Sequence, residues 1–379
     1  MENPFKYGGI VRGPYFANRS EELAELVQEM NNLSRVFLVS PRRFGKTCLL
    51  FNLMDKLHDL GLATAYLDLN AYPDVRGFAS ALTRLTSKAL ESNTDKLIKI
   101  FSGFQRLRPK VSVGYDGSLT ANVEVATEDK EALPALLEGM RHAERLAKKK
   151  DKKLVIVMDE FSDISKYDGQ TLEKAIRTEI QQHENIGYIL SGSEQSVMLS
   201  MIRDRKRAFY KLGRIMDLGP IDKGSYTDFI YSWLYKGGYK LERRDLQKIF
   251  DLGRDVPHSI QRLCYNMWEL ARESREITPF LIEKLPMVIA QQDSPHFELL
   301  WQTASQQQKT LLIALSKEPD AKPFSREFQL TYSIGPSSSI KASLDSLTRK
   351  GILSRTLKGS YIFSDTFMPY WISYLKLKE

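Results

Sequence analysis

Cysteine is almost missing from this chain, with only Cys48 and Cys264 among 379 residues. Two widely separated thiols cannot make a disulfide framework or supply a paired zinc-ligand spacing, which points to a reducing compartment and excludes a structural zinc module. Histidine is also scarce, at five dispersed positions. No apolar run approaches the roughly 18 residues needed to span a bilayer. The opening Met1-Glu2-Asn3-Pro4-Phe5-Lys6 lacks the basic and apolar regions of a secretory signal, so the expectation is a cytosolic chain with no membrane partner. Repeats and low-complexity tracts are absent as well. Hydrophobic residues make up 42% and aromatics 10%, enough for a substantial core, and the length leaves room for more than one domain.

The pattern along the chain predicts an α/β protein. A cap and two carboxylates at Asn18-Arg19-Ser20-Glu21-Glu22 precede apolar positions at helical spacing, and Val36-Phe37-Leu38-Val39 follows as a short strand. A helix from Lys46 to about Leu60 stops at Gly61 before a strand from Ala63 to Leu69. Strand, helix, strand implies a parallel sheet. Further apolar strands are predicted at 154–158 and 186–190, giving four central strands, with an inserted hairpin near 108–126 turning at Asp116-Gly117. From Tyr226 to Glu283 the texture is all helical. After Phe297, three helices and a hairpin at 352–363 follow the order of a winged helix-turn-helix. The expected divisions are an α/β core at 1–220, a helical lid at 221–296 and a winged helix at 297–379.

The strongest chemical signal is Ser40-Pro41-Arg42-Arg43-Phe44-Gly45-Lys46-Thr47, lying between a predicted strand and a predicted helix. It matches a phosphate-binding loop with Ser40 in place of the first glycine. Backbone N–H groups and a helix N-terminus wrap phosphates, Lys46 reaches the β and γ phosphates, and the Thr47 hydroxyl ligates Mg²⁺. The expected nucleotide-contacting stretch runs through Cys48. A second signal is Leu154-Val155-Ile156-Val157-Met158-Asp159-Glu160, an apolar strand ending in two acids. Asp159 is expected to hold Mg²⁺ through water, and Glu160 to act as general base on the attacking water. Ser191, at the end of the next strand, is the candidate for sensing the γ phosphate. The basic run Arg203, Arg205, Lys206, Arg207, Lys211 and Arg214 is read either as a solvated helix face or as the source of an arginine finger, with Arg214 preferred.

Taken with Phe16-Ala17-Asn18-Arg19-Ser20-Glu21-Glu22-Leu23, Tyr210-Lys211-Leu212-Gly213-Arg214 and Gly253-Arg254-Asp255-Val256-Pro257-His258, these motifs resemble the archaeal-type P-loop ATPases. That family lies in the STAND branch near the AAA+ class and is similar to origin-recognition ATPases. The resemblance implies an additional-strand P-loop fold with a helical lid, and ATP hydrolysis used as a switch. It places Phe16 and Arg19 on the adenine side and Pro257 near the base. The departures are Ser40 and Asp255, each where glycine is common, and the lack of an obvious sensor arginine beyond the candidates Arg254 and Arg262.

The formal charge is +8, and residues 301–379 hold 11 Lys+Arg against 6 Asp+Glu, so much of the surplus lies in the winged helix. Lys341, Arg349, Lys350, Arg355 and Lys358 are the candidates for contacts to double-stranded DNA. Two functions remain open at this point. One is an ATP-driven switch that controls a protein partner or self-assembly into a homo-oligomer; the other is an ATP-licensed DNA-binding protein.

Overall fold

A computed structural model describes residues 1–17, 19–91, 107–113, 119–125, 131–167, 169–318, 321–356 and 359–376. Residues 12–219 form one compact unit, and residues 1–11 with 220–379 form a second.

The first unit is built on a five-stranded parallel sheet. Its strands are β1 (Arg35–Val39), β2 (Ala63–Asp68), β5 (Leu154–Asp159), β6 (Ile186–Gly192) and β7 (Arg214–Asp217), in the order β2-β5-β6-β1-β7. A separate antiparallel hairpin pairs β3 (Leu107–Val113) with β4 (Leu119–Val125), in a register that sets Lys110 opposite Asn122. Its expected turn at Asp116-Gly117 lies outside the described residues.

The central strands β5 and β6 are buried throughout. This explains why they read as uninterrupted apolar runs, since a parallel sheet is covered on both faces. Alternate side chains divide between two cores. Val36, Leu38, Val155, Val157 and Ile189 face the helices Ser20–Asn31 and Lys46–Asp59 through Leu26, Met30, Leu50 and Leu53. Phe37, Val39, Ile156, Met158 and Leu190 face the helices Val75–Leu90, Ala132–Lys149, Gly169–Gln182 and Gln195–Arg203. The result is a three-layer sandwich. One strand, β6, separates β1 from β5, which is the additional-strand arrangement expected from the sequence.

β7 is a fifth strand where the sequence suggested only a basic run. It pairs in parallel with β1, with Val36 opposite Arg214 and Val39 opposite Asp217. Gly213 makes that pairing feasible: a Cβ there would lie 2.2 Å from the Arg35 carbonyl oxygen.

The second unit is helical up to Gln302, with helices Lys223–Lys236, Leu246–Gly253, Pro257–Leu270, Pro279–Gln292 and Ser294–Gln302. Pro257 and Pro279 each open a helix at the position where a missing N–H costs nothing. The three helices Gln306–Lys317, Arg326–Thr331 and Ser337–Arg349 follow, then the hairpin β8 (Leu353–Arg355) and β9 (Tyr361–Phe363). Ser305 and Gln308 form a reciprocal capping box at the first of these helices. A terminal helix, Met368–Lys376, was not anticipated. Its Trp371 packs on Phe297 and Trp301 and donates to Ser294 Oγ at 2.8 Å. The N-terminal strap is part of this unit. Phe5 is fully buried with its ring edge-on to Phe229 and Trp268, and Asn3 Nδ2 donates to Tyr265 O and Glu269 Oε1.

Candidate active site

All five parallel strands leave the sheet at one edge, and in open α/β sheets ligands bind beyond the carboxyl ends of the strands. The loop after β1 carries the phosphate-loop residues. Ser40 is fully buried; its N–H donates to Gly192 O at 3.2 Å and its hydroxyl to Pro41 O at 3.1 Å. Positive φ occurs in this loop at Arg43 (71°) and Gly45 (84°), not at Ser40, so the loss of glycine there strains no backbone. Gly45 is the N-cap of the helix Lys46–Asp59, whose first turn points its N–H groups at the site.

Lys46 is buried, and its Nζ donates to Asp159 Oδ1 at 2.6 Å and to Glu160 Oε1 at 2.9 Å. Asp159 collects further donors: Ser191 Oγ at 2.6 Å and the Glu160 N–H at 3.0 Å on Oδ1, with Thr47 Oγ1 at 3.1 Å and the Tyr66 hydroxyl at 3.0 Å on Oδ2. Burial pushes the Asp159 carboxyl upward, but the Lys46 charge and the bonds from Lys46, Ser191 and Tyr66 outweigh it and hold the group below its ordinary value. The carboxylate is therefore ionised.

Glu160 turns back toward the site through a left-handed backbone (φ 51°), a conformation uncommon outside glycine. Its Oε2 accepts from the Ser193 N–H at 3.1 Å and the Ser193 hydroxyl at 2.9 Å.

The sequence-predicted residues Lys46, Thr47, Asp159, Glu160 and Ser191 thus come together from β1's loop, β5 and β6. Tyr66, Asp68 and Ser193 were not assigned from sequence. Asp68 ends β2 directly opposite Asp159, and burial followed by the Asp159 and Glu160 charges raises its carboxyl despite the bond from the Asn70 N–H. A polar residue at the end of a parallel strand was the available signal for Asp68; nothing local marked Tyr66.

The donor set suits Mg²⁺. Thr47 Oγ1 and Asp159 Oδ2 offer two hard oxygens side by side. Among the described residues no group of three or more His, Cys, Asp and Glu could hold a metal by itself. A cation that takes one or two protein oxygens and completes its shell with phosphate and water fits such a site.

Phe16 packs against the core beside the helix Lys46–Asp59. Arg19 is buried and donates to Glu22 Oε1 at 2.7 Å and to the carbonyls of Phe44 and Gly219 at 2.8 Å, bracing the phosphate loop from behind. Pro41 and Cys48 are partly exposed, whereas Arg42 and Arg43 are exposed. Arg214 is not brought to the site. It opens β7, three residues and about 10 Å along the strand from the edge where the phosphate loop begins. There it is exposed and paired with Glu25 and Glu29.

In the second unit, Pro257 accepts a hydrogen bond from the Tyr226 hydroxyl at 3.2 Å. Arg254 and Asp255 both have positive φ (51° and 55°), which is the physical reason glycine suits this bend. Arg262 is held by Asp293 at 2.7 and 3.0 Å. Lys341, Arg349 and Arg355 are exposed. Lys350 is committed internally, donating to Thr303 O at 2.5 Å and Gln308 Oε1 at 2.9 Å, and Lys358 lies outside the described residues.

This architecture recurs in solved structures. The Walker-type ATPase PABY2304 of Pyrococcus abyssi superposes with a TM-score of 0.63 at 15% identity, over 98% of this chain and 99% of that one. The fold is that of the archaeal Walker-type P-loop ATPases. The Aeropyrum pernix ORC1 protein, solved in complex with DNA, shares this ATPase fold at a TM-score of 0.52 and 15% identity over 95% and 93% of the two chains. The Aeropyrum pernix ORC2 protein, solved as ADPNP–ADP complexes, does so at 0.52 and 14% over 100% and 98%. Residues 295–374 match the family described as "Probable winged helix domain", so the ATPase fold carries a C-terminal winged helix. No curated protein sequence matches the chain. Among the described residues, no helix is long and apolar enough to cross a membrane.

Proposed function

We propose that this chain binds and hydrolyses ATP and uses the nucleotide state as a switch. The observation that carries the proposal is the convergence of Lys46, Thr47, Asp159, Glu160 and Ser191 at one edge of the sheet. In this reading the backbone from Ser40 to Cys48 cradles the phosphates, with Arg42 and Arg43 facing solvent along the loop. Lys46 contacts the β and γ phosphates, and Ser191 orients the γ phosphate's neighbourhood. Thr47 and Asp159 hold Mg²⁺, which when bound neutralises phosphate charge. Glu160 accepts a proton from the attacking water. That role requires Glu160 to release Ser193 or Lys46, since both carboxylate oxygens are engaged. Phe16 and Arg19 are assigned to the adenine side by resemblance.

The switch output is assigned to residues 220–379. The lid helices and the winged helix share one compact unit, joined by the buried Ser259···Thr366 hydrogen bond at 2.8 Å. Such a unit can present or withdraw a surface for a protein partner or a second copy of the chain.

The second reading, ATP-licensed binding of double-stranded DNA, is favoured by the exposed Lys341, Arg349 and Arg355 on the winged helix and by the DNA complex of the ORC1 relative. Lys350 is exposed as well, but its ammonium is shared with Thr303 O and Gln308 Oε1.

Phosphate release from ATP, measured with and without double-stranded DNA, tests both. Slow turnover unaffected by DNA supports the switch, and stimulation by DNA supports the second reading. Turnover no greater than that of a Lys46→Ala variant overturns both.

A further inference from the structure

Among the described residues, Tyr66 is the one aromatic hydroxyl that reaches the buried carboxylate, and the reaction scheme above leaves it unused. Asp159 Oδ1 already accepts from three donors, Lys46, Ser191 and the Glu160 N–H. Oδ2 accepts from two, Thr47 Oγ1 at 3.1 Å and Tyr66 at 3.0 Å. If Thr47 turns a lone pair toward a cation, its proton remains available to only one side, and Tyr66 becomes the fixed reference for Oδ2. The Tyr66 ring cannot drift easily. It lies on β2, which pairs with β5 so that Tyr66 sits opposite Val157 and the next same-face pair is Asp68 opposite Asp159. The ring is also tilted against Phe51 of the helix Lys46–Asp59 at 4.7 Å, and Phe51 in turn lies under the Arg12 guanidinium at 4.6 Å. Arg12 is itself anchored to Asp55 at 2.8 and 3.2 Å.

We propose that Tyr66 is a positioning residue for the divalent cation: its hydrogen bond fixes Asp159 Oδ2, the oxygen that also accepts from Thr47 Oγ1, beside the place where Thr47 would ligate the cation. The inference rests on the ATP reading of the site. Partners of a metal-linked group typically govern affinity by 10- to 100-fold, and Tyr66 touches Asp159 through a single bond, so the lower end applies.

The test is titration of a fluorescent ATP analogue into the full chain and into Tyr66→Phe, in EDTA and in Mg²⁺. Phenylalanine keeps the ring and its packing on Phe51. Both proteins should bind the analogue equally in EDTA, while the gain in affinity on adding Mg²⁺ should be roughly tenfold smaller in the variant. An equal Mg²⁺ gain in both proteins overturns the role of Tyr66 and leaves the ATP reading intact. A weaker variant in EDTA as well overturns it too, because the hydroxyl then acts on the nucleotide site as a whole. If the unaltered chain shows no Mg²⁺-dependent binding, the ATP reading falls and Tyr66's role with it.

Discussion

Replacing Lys46 by methionine removes the counter-charge from a carboxylate that has almost no water around it. Lys46 and Asp159 have side chains only 6% and 4% exposed and meet at 2.6 Å. Breaking a buried pair by deleting one partner costs about 3–5 kcal/mol. Asp159 keeps the donors Ser191, Thr47, Tyr66 and the Glu160 N–H, which places the expected loss near the lower end, about 3 kcal/mol. On a unit spanning residues 12–219, that is a fall in melting temperature of roughly 6–12 °C.

The loss should depend on pH in a defined direction. Asp159 is held below its ordinary value, so its ionised form contributes stability above the unfolded-state value, and the contribution disappears as pH falls through the folded value. Without Lys46, burial raises the carboxyl, and a proton then relieves the unpaired charge. The deficit should therefore be largest near neutrality and shrink toward pH 5. The double variant Lys46→Met/Asp159→Asn should recover most of the stability, because neither charge remains. Far-UV circular dichroism reports this unit's helices along with those of the second unit. Tryptophan fluorescence does not report this unit, since Trp233, Trp268, Trp301 and Trp371 all lie beyond residue 219. A loss below 1 kcal/mol, or a double variant no better than the single one, refutes the reasoning.

Glu160→Gln should retain ATP binding while turnover falls by about 10²–10⁴-fold, measured by phosphate release alongside equilibrium nucleotide binding. Arg214→Ala should leave turnover of the isolated chain unchanged, because its charge is spent on Glu25 and Glu29 away from the phosphate loop; a large fall in turnover would restore it as a finger. Arg262→Ala leaves the bidentate partner Asp293 unsatisfied in a largely buried setting and should destabilise the second unit by about 3 kcal/mol, read by tryptophan fluorescence during urea unfolding. If the winged helix binds DNA, the triple reversal of Lys341, Arg349 and Arg355 to Glu should reduce the steepness of log affinity against log salt by about three; an unchanged slope excludes these residues.

The phosphate loop and the Asp159-Glu160 strand end were legible because each is contiguous: local spacing, an apolar strand and a helix start carry the chemistry together. The winged helix was legible for the same reason, through three short periodic segments and a hairpin. What escaped depends on long-range pairing. Tyr66 and Asp159 are 93 positions apart and meet only because β2 lies beside β5. The strand Arg214–Asp217 is four residues long, polar at both ends and on a sheet edge, so alternation had nothing to show until β1 supplied its partner. The direction of that strand is also what carries Arg214 away from the site. The N-terminal strap offered no signal that Phe5 belongs to a core formed by Phe229 and Trp268, more than 200 residues downstream.

The most direct measurement is a comparison of phosphate release from Mg-ATP by the full chain and by Glu160→Gln, at ATP concentrations where both are shown to be saturated. The account predicts multiple turnovers by the unaltered chain and a bound but unhydrolysed nucleotide in the variant. Equal rates in the two proteins contradict it.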